Sequence, residues 1–179
     1  MRFFSFLLVA AMISTNVVCA QTREEMQASQ ERYAKLVKLC ENEPKKTEVP
    51  EVDTYISAVY TSAIAAVATT EQLQDLYYRQ IGETKDGVTD VTIKKPTVEE
   101  LVLLSETIGL QAIAITAAAS SAENAVKASK GQKNLKVARA AAAGLIFTKD
   151  AYPILLEESA FQTKAIAEMI ETAKSSQNL

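Results

Sequence analysis

The sequence of 179 residues has no histidine and no tryptophan, and it holds two cysteines, five glycines and four prolines. Without imidazole, the usual serine and cysteine hydrolase machinery has no general base. The glutamate-plus-histidine metal sites common inside helical bundles cannot be assembled either. A formal charge of −3 excludes a polycationic nucleic-acid binder. No cofactor is expected from these residue types. Apart from one loop there is no run of alternating β-branched residues, so little in the chain favours a sheet.

What is present begins with an export signal. Met1-Arg2 supplies a positive start, and Phe3 to Ile13 is an apolar run broken by Ser5, too short to span a bilayer as a stable helix. Val18-Cys19-Ala20 offers small residues where a signal peptidase reads, so cleavage after Ala20 is expected, leaving residues 21–179 as one domain. Lipidation at Cys19 is the rival, but Val18 stands where a lipoprotein signal has Gly, Ala or Ser. The expected destination is the periplasm or the exterior. Cys40 then stands alone and cannot close a disulfide within its chain. It follows Met26 and Tyr33 at seven-residue spacing, which places it on the apolar stripe of a helix.

Alanine is abundant, and the apolar spacing is helical almost throughout. The first helix is read over Arg23 to Asn42, ending in a charged linker around Pro44, Lys45 and Lys46. Pro50 and Asp53 start the second, which runs to Ile81 and stops at Gly82, with Thr69-Thr70 as a place where hydroxyls can bond back to the preceding turn. Residues 82–96 carry the turn signal Lys85-Asp86-Gly87 among β-branched residues and predict a short hairpin or ordered loop. Thr97 with Glu100 is a capping box. The helix it opens reaches Lys130, with Val98, Leu101, Val102, Leu104, Ser105, Ile108, Ala112, Ile115, Ala119, Ala122 and Val126 read as its buried side. A further helix starts near Leu135, and Pro153 either kinks it or divides it in two. The expected fold is therefore all-α, an up-and-down antiparallel bundle of four to five helices. Gln111, Thr116, Ser120, Ser121 and Glu123 interrupt the longest apolar stretch and argue against a transmembrane span.

Candidate chemistry is sparse. Ser129-Lys130, and Ser175-Ser176 near Lys174, have the residue types of a histidine-free nucleophile. They lie at solvated helix ends, whereas a catalytic lysine needs desolvation. Glu99, Glu100, Glu157, Glu158, Glu168 and Glu171 are read as helix-start and polar-face residues rather than metal ligands, and Glu106 and Glu123 as outward-facing. Tyr55, Tyr60, Tyr77 and Tyr78 on the second helix form a candidate interaction face, since tyrosine suits a half-wet surface. Lys127, Lys130, Lys133, Lys136 and Arg139 are spaced by three, with no acid between Glu123 and Asp150. They form a candidate patch for an anionic lipid or glycan. The composite expectation is a non-enzymatic exported bundle that binds a protein partner or its own copies. A carrier of an apolar ligand and a membrane-surface-active protein are the alternatives.

Overall fold

The computed structural model describes residues 23–177, so the export signal and Cys19 lie outside the described residues. Four helices fill that span: α1 over residues 23–40, α2 Pro50–Ile81, α3 Val98–Lys130 and α4 Leu135–Gln177. The all-α reading holds.

Each boundary has a local cause. Pro50 opens α2 in the first turn, where its missing N–H is no loss, and Asp53 accepts from both the backbone and the hydroxyl of Thr47. Gly82 ends α2 at φ 72°, a left-handed conformation that an L side chain resists. At α3 both halves of the capping box are made: the Thr97 hydroxyl accepts from Glu100 N, and Glu100 Oε2 accepts from Thr97 N. Asn134 caps α4 by accepting from Lys136 N at 3.0 Å. Pro153 neither ends nor divides α4, which continues through it as one helix, and its ring lies on the exposed side. Residues 82–97 form an ordered loop closed by a single antiparallel bridge between Glu83 and Thr89, short of a hairpin with paired strands.

Pairs of contacts fix the topology. Gln30 donates to Tyr78 and Arg23 pairs with Glu83, so α1 runs antiparallel to α2. Arg79 reaches Glu100 and Thr69 reaches Gln111, so α3 is antiparallel to α2. Gln111 meets Gln162, and Tyr152 donates to Ile115 O, which makes α4 antiparallel to α3. Thus α2 and α4 are parallel, as in an up-down-up-down bundle.

The diagonal pair α2 and α4 approach closely because small residues line their contact. A Cβ on Gly144 would lie 2.1 Å from Cδ1 of Ile56, closer than any real carbon contact. With α2 and α4 pressed together, α1 and α3 pack on either side of them. The core falls into two apolar clusters. One gathers Leu36, Val52, Ile56, Val59, Ala63, Ile115, Ala141 and Leu155; the other gathers Met26, Leu73, Leu101, Leu104, Ile108, Phe161 and Ile166.

The buried seam of α3 differs from the sequence expectation. Leu101, Leu104, Ile108, Gln111, Ile115, Ala118 and Ala125 face inward, whereas Val102, Ala119 and Val126 are exposed. Both patterns share the seven-residue repeat Leu101, Ile108, Ile115 and Ala122, but the structure completes it with Leu104, Gln111, Ala118 and Ala125, where the sequence expectation took Ser105, Ala112, Ala119 and Val126, one residue later. A step of one residue turns about 100° around the helix, which carries Ala119 and Val126 out of the contact.

Candidate interaction surface

Between the two apolar clusters lies a buried polar layer drawn from all four helices. Glu158 of α4 is fully buried; its Oε1 accepts from Ser29 of α1 at 2.6 Å and Thr70 of α2 at 2.9 Å, and its Oε2 accepts from Arg32 Nε at 2.7 Å. Gln162, one turn on, donates to Thr69 and Thr70 and accepts from Gln111 Nε2 at 2.9 Å. The carboxylate that the sequence assigned to a polar face is therefore the centre of the layer. Its burial is tolerable because a guanidinium and two hydroxyls satisfy it. The Arg32 guanidinium also lies over the Phe161 ring, 5.4 Å from its centroid. The same layer corrects the reading of Thr69-Thr70. Thr69 can bond back to Ala65 O, whereas the Thr70 hydroxyl is turned to Glu158. The layer positions the four helices against one another.

The tyrosines do not make one face. Tyr55 and Tyr77 are buried, 7% and 5% exposed, in different clusters. Tyr60 is half-buried against Phe147 with its hydroxyl directed to Cys40 O, and Tyr78 accepts from Gln30 on α1. α1 and α4 cover the side of α2 that the sequence left open, so Tyr55 and Tyr77 are closed to a partner while Tyr60 and Tyr78 stay half-buried. Cys40 is half-buried beside the Leu36 cluster, and burial pushes its thiol pKa above the ordinary value.

The cationic residues fare differently. Lys127, Lys130, Lys133, Lys136 and Arg139 are all exposed around the α3–α4 turn, and among the described residues Lys127 has an ion pair there, with Glu123 at 2.5 Å. The first turn of α4 holds no acid. Lys136 in that turn, with Arg139 just beyond it, therefore faces the positive end of the α4 dipole, which is unfavourable locally, whereas Lys127 and Lys130 in the last turn of α3 complement its negative end. At the other end of α3, Glu71 and Asp75 of α2 with Glu100, Leu103, Leu104 and Thr107 of α3 line an open groove of about 620 Å³. Arg79 bridges Asp75 and Glu100, and the Thr97 backbone amide, followed by Arg79, holds the Glu100 pKa below the usual carboxylate value. Glu71 is also bonded by the Tyr33 hydroxyl, whose pKa this contact raises.

Sequence reasoning missed the outer face of α3. Leu103, Leu110 and Ile113 are 67%, 70% and 68% exposed, and with Ala117 and Ser120 they form a stripe opposite the buried seam. The comparable outward face of α1 carries Arg23, Glu24, Gln27, Glu31, Lys35 and Lys38. Both helices pack on the α2–α4 pair, yet one presents charge to solvent and the other leucine. The missed signal was a second heptad repeat two residues out of register with the first. Among the described residues, α3 is also the one helix long and apolar enough to cross a membrane, and a third of that apolar window is buried in the bundle. No three acidic or cysteine side chains converge as a metal site among the described residues.

Against protein-family models, curated proteins and solved structures, the chain finds no match.

Proposed function

We propose that this protein is an exported, non-enzymatic interaction module whose contact surface is the outer face of α3. The observation that supports this is the contrast between α1 and α3. Packing on the same helix pair, α1 shows solvent a charged face and α3 shows Leu103, Leu110 and Ile113. Large apolar side chains aligned on one exposed face mark a contact site on a folded protein, because leaving them in water forgoes about 25 cal/mol per Å² of apolar burial. The polar layer suits this role by fixing helix register, so the stripe is presented on a rigid scaffold.

The test is photo-crosslinking in the exporting cell, with a photoreactive residue at position 110 on α3 or position 35 on α1. Adducts from position 110 and none from position 35 support the reading. Equal labelling from both, or none from position 110, overturns it.

A second reading is a membrane-surface protein whose α3 lies on lipid, favoured by the apolar length of that helix. Retention of the folded chain on neutral and anionic vesicles, lost on Leu110→Lys, would establish it; free flotation apart from both would dismiss it.

A further inference from the structure

We infer that the occupant of the α3 face is α3 of a second copy of this chain, packed antiparallel and centred between Ile113 and Ala117. This rests on the α3 face being a contact surface and goes further by naming what covers it.

Size complementarity is the first argument. The outward stripe reads Leu103, Glu106, Leu110, Ile113, Ala117, Ser120 and Asn124, so its large residues lie in the N-terminal half and its small ones in the C-terminal half. A parallel copy would set leucine against leucine at one end and leave serine and alanine facing each other across a gap at the other. An antiparallel copy places Ile113 opposite Ala117 and Leu110 opposite Ser120, so that at the centre a large knob meets a small hole. The pattern is self-complementary under a two-fold axis, the commonest symmetry of soluble homo-oligomers.

Charge complementarity is the second, independent argument, because it comes from residues flanking the stripe. The N-terminal half of α3 is acidic: Glu99 and Glu106 are exposed, and Glu71 and Asp75 of α2 share a groove with Glu100. The C-terminal half ends in Lys127, Lys130 and Lys133, all exposed. Antiparallel pairing brings the acids of each copy to the lysines of the other, at both ends. Parallel pairing would oppose like charges at both ends. Glu106, the one acid within the stripe, then faces Asn124 with Lys127 a turn away, whereas in lipid it would have no partner. The lysine patch thus acquires a role, and its anionic partner is the acidic groove of the second copy.

Sedimentation equilibrium of the chain beginning at Gln21, with Cys40→Ser to remove the native thiol, is the experiment. A dimer is expected. Leu110→Lys, at a position exposed in the folded chain and so compatible with folding, should weaken it about a hundredfold or more, with the helical circular dichroism retained. Glu106→Lys should weaken it about tenfold, and adding Lys127→Glu should restore part of the loss. Orientation is read by crosslinking: Ile113→Cys with Ala117→Cys should form a bridged dimer on oxidation, and Leu103→Cys should not. Ready crosslinking through Leu103→Cys would overturn the antiparallel arrangement. A monomer at every concentration up to about 100 μM, a range that covers weak interfaces, would overturn the second copy as occupant. If position 110 still labels another molecule in the exporting cell, the contact surface stands and only its occupant is wrong. Binding of the monomer to vesicles would identify that occupant as lipid.

Discussion

Nε of Arg32 on α1 lies 2.7 Å from Oε2 of Glu158 on α4, joining residues 126 positions apart in a place where the carboxylate is shut off from solvent. Both Glu158 oxygens are in use, since Ser29 and Thr70 occupy the other one. The pair therefore ties the short first helix to the bundle through a group that cannot be rehydrated without opening the core.

Arg32→Met should destabilise the protein by about 3 kcal/mol, because it strands a buried carboxylate. Adding Glu158→Gln, which removes the stranded charge and keeps an acceptor for Ser29 or Thr70, should recover a substantial part of that loss. Urea unfolding of the two single variants and the double variant measures the coupling. Additive losses would show that the pair does no joint work.

Gly144→Ala tests the close approach of α2 and α4. On an open helix surface the change would raise stability by about 1 kcal/mol. Here the new Cβ meets Ile56 Cδ1, a buried atom with little room to move, so a net loss of about 1 to 2 kcal/mol is expected. Ile56→Val deletes the clashing methyl, and in that background Gly144→Ala should be neutral or favourable. Thermal unfolding of the four proteins decides it.

Acid should loosen the start of α3. The Glu100 pKa is held down first by the Thr97 amide and then by Arg79, so its folded value lies below its unfolded one. A carboxylate of that kind contributes stability above its unfolded pKa of about 4.3, and the contribution is lost as pH falls through the folded value. Glu100→Gln should therefore destabilise at pH 7, and its deficit against the unsubstituted chain should shrink below about pH 4. Thr97→Ala should cost about 1 kcal/mol at neutral pH by removing the other half of the box. Denaturant midpoints across pH 2 to 7, a range spanning the ordinary carboxylate value, read both effects.

Lys136→Glu should raise the stability of the isolated chain by about 0.5 kcal/mol, because an acid replaces a cation in the first turn of α4. The same substitution should weaken self-association, since Lys136 belongs to the cationic end that meets the second copy's acids. A stabilised chain that also dimerises more tightly would separate Lys136 from that contact. Thermal unfolding and sedimentation on one preparation give both readings.

Much of this fold is set by interactions that span no more than a turn. The Thr97-Glu100 box, Pro50 at a first turn and Gly82 at a last one are local chemistry, legible wherever they occur. Helical composition follows from the abundance of alanine and the scarcity of glycine and proline in the same way. Which face of each helix turns inward is a different kind of fact. Pro153 could be read as a break or a kink, and α4 passes through it because both halves pack along one continuous α2. Glu158 looks like any surface glutamate beside Glu157 until α1 brings Ser29 and Arg32 to it. Tyr55 and Tyr77 look half-wet until other helices cover them.

The amino-acid order thus determined by itself that the chain is helical and where most of its helices begin and end, because capping and propensity act within a few residues. The tertiary structure decided what is buried. The 3.5-residue seam of α3, the inward turn of Gln111 and the outward stripe of Leu103, Leu110 and Ile113 all depend on where α2 and α4 lie. A helix surface is a continuous cylinder, and only the neighbours that press on it choose which stripe of that cylinder loses its water.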